Sequence, residues 1–147
     1  MIRRRSRGWK FGLLIVVPLL VTASCGPKFE KFVAVQVTFH NNGTPNDPLP
    51  EPAKMNKAND TISWVNDSDI PIHVCVAAGV FATSDFPVKP SSGGNPGTTS
   101  SGPVQSSTPG DGSEYPYYIY QDAIGFKCPA QLGSGKYLVG PKHIIVQ

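Results

Sequence analysis

Arginine is missing from most of this 147-residue chain. All four arginines lie within the first seven residues, and from Gly26 onward eight lysines accompany ten acidic residues, a net charge of about −2. The formal charge of +3 for the whole chain therefore comes from its first ten residues. Proteins that bind nucleic acid concentrate basic side chains on one surface to neutralise phosphates. Nucleic acid is therefore not an expected partner.

Helical periodicity is also missing beyond the N-terminal segment, and short alternating runs take its place. Residues 32–39 alternate apolar and polar side chains, and residues 60–76 contain two further alternating runs separated by the turn-forming NDSD. Later strands are expected in YPYYIY, KYLV and HIIVQ. With 39% hydrophobic residues, the chain is predicted to form one all-β domain, a sandwich of about seven strands over residues 32–147.

Large apolar residues are scarce in residues 91–113, where Val104 is the only one and Ser, Thr, Gly and Pro predominate. Such a composition favours an irregular, flexible chain. The 34 residues that follow are too few to bury a core of their own, so the segment is not expected to link two domains. We predict a long polar loop here, with a short edge strand near Val104 as the alternative.

Catalytic motifs are absent as well. The sequence contains no Gly-x-Ser-x-Gly, no phosphate-binding glycine loop and no His-Glu-x-x-His. Its aspartates show no spacing typical of a calcium loop or of a pair of catalytic carboxylates. An enzymatic function is therefore not expected.

The first 24 residues have the three parts of a secretory signal. Five cationic residues precede an apolar run over residues 11–23, and the small residue Ser24 follows. Gly12 and Pro18 interrupt the run, which is shorter than the roughly 20 apolar residues that cross a membrane. A signal peptide over residues 1–24 is predicted.

The four residues TASC, at positions 22–25, resemble the lipobox of bacterial lipoproteins, in which the cysteine becomes the lipidated N-terminus. Thr22 stands where the motif usually has Leu, and ordinary cleavage to a soluble product is the alternative. The resemblance implies that Cys25 carries lipid, that residues 25–31 form a tether, and that several acyl chains hold the protein firmly. The protein is then expected at the cell envelope, anchored to a bacterial membrane, with its domain in the periplasm or outside the cell.

Cysteine is rare, with three residues in the chain, and an odd thiol in an exported protein needs a partner or a modification. If Cys25 carries lipid, Cys75 and Cys128 remain as a pair in an oxidising compartment. A disulfide between them is predicted, and free thiols are the alternative.

The order of the predicted strands resembles the cupredoxins, the blue-copper proteins, and the resemblance implies a Greek-key β-sandwich for residues 32–147. The likeness is carried by NDTISWVNDSDIPIHV at residues 59–74, by the tyrosine-rich strand, and by the closing IIVQ. Cupredoxins hold copper with two histidines, a cysteine and a weak axial ligand. His73 matches the first histidine, but Tyr120 stands at the position of the cysteine, and the ligand loop has no methionine. The resemblance therefore implies the fold without a cofactor.

A non-standard copper site is the alternative. His73, Cys128 and His143, with Gln131 as a weak axial ligand, have suitable chemical types, although their spacing does not match the family. Such a site would make the protein an electron-transfer protein or a copper carrier.

Four tyrosines are candidates for ligand contact: Tyr115, Tyr117, Tyr118 and Tyr120. Aromatic faces with polar rims suit sugars and peptides, but a tyrosine-rich strand more often divides its side chains between core and surface. Without catalytic motifs, the expected function is binding or scaffolding at the cell envelope, docked on a larger protein complex. These tyrosines and residues 91–113 are the expected contact surfaces.

Overall fold

The computed structural model describes residues 33–40 and 48–147; the predicted signal peptide, Cys25 and the tether lie outside these ranges. The described residues contain no helix, and hence none long and apolar enough to cross a membrane. They form eight strands, so the predicted all-β class is confirmed. In chain order the strands are β1 (Val33–Phe39), β2 (Ala53–Met55), β3 (Asp60–Asn66), β4 (Ile72–Val76), β5 (Asp85–Val88), β6 (Gly97–Pro103), β7 (Ser113–Gln121) and β8 (Val139–Val146).

The strands form two sheets. The first has the order β1-β3-β6 and the second the order β2-β8-β7-β4-β5. β1 runs parallel to β3 and β2 runs parallel to β8, whereas the remaining pairs are antiparallel. Every residue of β4 is buried. A strand with one face in water would alternate between buried and exposed residues, so the outer face of the second sheet must also be covered at β4.

The hydrophobic core joins the two sheets. Trp64 of β3 is 1% exposed, and its ring centroid lies 6.0 Å from that of Phe86 on β5 and 5.2 Å from that of Tyr117 on β7. The apolar residues that alternate along β1, β4 and β8 complete the same cluster. This arrangement follows from the period of two in the sequence, because alternate side chains of a strand point to the same face.

The segment predicted to be a polar loop contains β6, which lies at the edge of the first sheet directly before Val104. β6 pairs with β3, and the Ser101 hydroxyl accepts a hydrogen bond of 2.9 Å from the backbone amide of Ile62. Val104 is buried against the core. Backbone pairing requires no apolar side chains, which is why a composition rich in Ser and Thr can still form a strand.

Trp64→Ala is expected to lower the free energy of unfolding by about 3–5 kcal/mol, because a large buried ring that contacts both sheets is lost. Urea unfolding followed by circular dichroism measures the change. Ile124→Ala is the control, since Ile124 is 109% exposed and its loss should change stability by less than about 0.5 kcal/mol. Equal unfolding midpoints for the two variants would contradict the assignment of Trp64 to the core.

Candidate functional site

The second sheet carries a layer of chain on its outer face. Alternate residues of β4 and β7 belong to the core, so His73, Cys75, Tyr118 and Tyr120 face the other side of the sheet. Residues 122–138, here called the covering segment, contact these side chains through an ion pair, a disulfide and hydrogen bonds. The covering segment is therefore what buries the outer face of β4.

His73 lies between two carboxylates. Its Nδ1 is 2.7 Å from Oδ1 of Asp85 on β5, and its Nε2 is 2.9 Å from Oδ1 of Asp122 in the covering segment. The side chain is 9% exposed, and the ring of Phe126 packs edge-on with a centroid distance of 4.9 Å. Through its two ring nitrogens, His73 therefore links the covering segment to β4 and β5.

A disulfide joins Cys75 to Cys128, the pairing predicted from the sequence, across a sequence separation of 53 residues. Cys75 is fully buried and pairs with Asp85 in the register of β4 and β5. The backbone amide of Cys128 also donates to Oδ2 of Asp85, at 3.4 Å. Asp85 thus contacts both the histidine and the disulfide.

The hydroxyl of Tyr120 also attaches the covering segment to the sheet. Tyr120 is only 2% exposed. The amide of Gly133 donates to this hydroxyl at 3.1 Å, and the hydroxyl donates to the carbonyl of Ser134 at 3.2 Å. Burial raises the pKa of Tyr120 above its ordinary value of 10.0, and the hydrogen bond from Gly133 opposes the rise.

Aromatic rings form a continuous row on this outer face. Tyr118 packs against Tyr137 with ring centroids 5.1 Å apart, Tyr120 lies 6.4 Å from Tyr118, and Phe126 lies 5.4 Å from Tyr120. At Gly140 a Cβ atom would stand 2.3 Å from Cδ1 of Tyr118, so the absence of a side chain there allows this close packing.

A pocket of about 460 Å³ opens beside His73. Asp122 and His73 supply its polar wall, and Pro71, Ile124 and Phe126 supply apolar atoms. Ile124 is fully exposed, whereas Phe126 is partly buried against His73 and Tyr120. A concave site with a few convergent polar groups and apolar walls suits a small ligand or a single protruding side chain.

The four candidate tyrosines are divided between the core and the outer face. Tyr117 is fully buried beside Trp64 and Tyr120 is buried under the covering segment, whereas Tyr115 and Tyr118 are half-buried. Sequence reasoning missed Asp85, Asp122 and Ile124 as members of the site. In the sequence, Asp122 directly follows the tyrosine-rich strand, which indicates that it lies near a strand end. Nothing in the neighbouring sequence indicates that it contacts His73.

The structure keeps His143 apart from His73 and Cys128, two other residues of the copper alternative. Cys128 is near His73, but its sulfur is bonded to Cys75. On β7, Tyr120 pairs with His73 and Pro116 pairs with His143. Tyr120 and Pro116 are four residues apart along the strand, a distance of about 13 Å. His143 lies instead beside Glu51, with Nδ1 4.0 Å from Oε1.

Comparisons of this chain with protein-family models, with curated proteins and with solved structures found no match. Its function is therefore inferred from its own residues.

Replacing both Cys75 and Cys128 with Ala is expected to lower the free energy of unfolding by about 4 kcal/mol, because the bond restricts a long loop in the unfolded chain. Urea unfolding compares this variant with the oxidised protein. The oxidised protein treated with a reductant is the matched control and should lose a similar amount. An unchanged unfolding midpoint in both cases would contradict a stabilising disulfide.

Tyr120 should make stability depend on pH under alkaline conditions. Because its pKa is raised in the folded state, its contribution is complete below the ordinary value of 10.0 and is lost as the pH rises through the folded-state pKa. In Tyr120→Phe, the free energy of unfolding should fall less steeply between about pH 9.5 and 11 than in the unchanged protein. Chemical unfolding at several pH values measures the slopes, and identical slopes would contradict the shift.

Proposed function

We propose that this chain is an exported bacterial lipoprotein whose metal-free β-sandwich binds a partner protein at the cell envelope. The observation that carries the proposal is the disulfide between Cys75 and Cys128, which holds a surface segment in one position. Disulfides of this kind persist in oxidising compartments such as the periplasm. The bond also engages the thiol that a copper site would need, in agreement with a protein that works without copper.

The Greek-key, cupredoxin-like form of the sandwich is part of the proposal. In the resemblance, His73 stands for the first copper ligand and Tyr120 stands for the cysteine. These two residues are direct partners on the neighbouring strands β4 and β7, and both side chains face the same side of the sheet. This juxtaposition supports the proposal, because two ligands of one ion in a related metal-binding sandwich would lie side by side.

The covering segment is the contact surface that we propose. Ile124 exposes its whole side chain at the edge of the pocket, and Tyr137 exposes 39% of its surface. The contacts of His73, the disulfide and the Tyr120 hydroxyl hold this segment on the sheet, so little conformational entropy remains to be lost when a partner binds. An apolar side chain of an envelope protein that enters the pocket would complete the contact.

The membrane anchor is tested by Cys25→Ala. Removing the lipid attachment site is expected to move the chain from the membrane fraction to the soluble fraction and to abolish incorporation of a labelled fatty acid. Fractionation and metabolic labelling in a bacterial host measure both effects. Membrane association and labelling that persist in the variant would contradict lipidation at Cys25.

The contact surface is tested by photo-crosslinking in intact cells. A photoreactive residue at position 124 should capture a defined envelope protein. The same residue at position 54 should not, because Lys54 is exposed on β2, the edge strand at the far end of the second sheet from β5. Ile124→Asp in the otherwise unchanged protein should weaken co-purification of the captured partner at least about tenfold, as expected for loss of a central apolar anchor. Identical capture from both positions, or none from position 124, would contradict the proposed surface.

A further inference from the structure

We propose that reduction of the disulfide converts its surroundings into a zinc site formed by His73, Asp85, Cys75 and Cys128. This inference goes beyond the proposed function, which concerns the oxidised, metal-free protein. The covering segment is then attached in either of two ways. A disulfide attaches it under oxidising conditions, and a metal bridge attaches it under reducing conditions in the presence of zinc.

The ligand atoms are already grouped. A nitrogen of His73, a carboxylate oxygen of Asp85 and the sulfur of Cys128 all lie within 4.8 Å of one another. Tetrahedral zinc with bonds of about 2.0–2.3 Å keeps its ligand atoms roughly 3.3–3.8 Å apart. Nδ1 of His73 and Oδ1 of Asp85 are now 2.7 Å apart. These two atoms would have to move apart by well under 1 Å to bind the same zinc ion.

The fourth ligand is the sulfur of Cys75. It is bonded to the sulfur of Cys128, so it begins next to the group, and Cys75 pairs with Asp85 across β4 and β5. Three of the four ligands therefore stand on two paired strands, and only Cys128 lies on the covering segment. Ligands on rigid strands hold a metal geometry better than ligands on loops do.

Asp122 supplies the support that a zinc-bound histidine usually has. Its carboxylate contacts Nε2 of His73 at 2.9 Å, whereas Asp85 contacts the other ring nitrogen, Nδ1. Histidines that bind zinc commonly donate their other ring N–H to a carboxylate, which fixes the tautomer and the orientation of the ring. This arrangement is present before any metal binds.

The reaction balances with a dithiol as reductant. Two electrons and two protons pass from the dithiol to Cys75 and Cys128, and the dithiol itself becomes a disulfide. Zinc then displaces the two thiol protons and any proton on Nδ1 of His73. Two thiolates, an imidazole and a carboxylate form a mixed ligand set that suits borderline-soft zinc, and tetrahedral geometry is the usual one for such a set.

The test uses the full chain carrying Cys25→Ala, in which Cys75 and Cys128 are the only cysteines. A phosphine reduces the protein, which is then titrated with zinc alone and measured by native mass spectrometry. We expect one zinc per reduced chain and none per oxidised chain, with both thiols protected from alkylation in the zinc complex. Cobalt(II) in place of zinc should give visible absorption from tetrahedral thiolate coordination.

Variants separate this site from zinc binding by thiols alone. Asp85→Asn and His73→Ala should each abolish the one-to-one complex, and Asp122→Asn should weaken it about 10–100-fold. His143→Ala is the matched control, because it removes another histidine that lies beside a carboxylate, and should bind zinc unchanged. Tryptophan fluorescence and circular dichroism check that each reduced variant remains folded.

Absence of zinc from the reduced protein, or equal binding by His73→Ala and His143→Ala, would overturn the zinc site. The measurement requires no envelope partner, so its failure is distinct from failure of the crosslinking experiment at position 124.

Discussion

One covalent bond, between Cys75 on β4 and Cys128 in the covering segment, fixes the surface on which the functional argument depends. Without it, residues 122–138 would be held over the outer face of the second sheet by ring contacts and by polar contacts, among them those of His73, Asp85 and Tyr120. These polar contacts are individually weak, because water competes for each of them in the open state. The disulfide keeps the covering segment on the second sheet, and the ion pairs and the aromatic row then determine how the segment packs against it.

Burying both faces of β4 creates a need for polar partners. An antiparallel sheet can leave one face in water, but here the covering segment removes His73 and Tyr120 from solvent. Each group then requires hydrogen-bond partners inside the protein, and each has them: two carboxylates for the histidine and two backbone groups for the hydroxyl. The site is thus a second, polar interior beside the hydrophobic core, with the pocket and Ile124 at its edge.

Alternation in the sequence predicted β1, β3 and β4, because it reflects which side chains of these strands face the core. The pairing of Cys75 with Cys128 was predicted from the number of cysteines together with the lipobox resemblance at Cys25, and needed no geometry. β6 could be foreseen only as an edge strand near Val104, since its Ser and Thr side chains carry little information about backbone pairing. The contact of Asp85 and Asp122 with His73 could not be foreseen, because it depends on the register between strands and on the path of the covering segment. Lipidation of Cys25 and a cupredoxin-like origin remain predictions.

The central claim is that Cys75 and Cys128 are bonded in the exported protein, and intact mass tests it most directly. The full chain is exported, purified with a chelator, and treated with an alkylating reagent without reductant. The account predicts a mass lower by two hydrogens than that of the dithiol form, with no alkyl group on Cys75 or Cys128. Alkylation of both residues in the folded protein would contradict the account and would leave the covering segment without its covalent attachment.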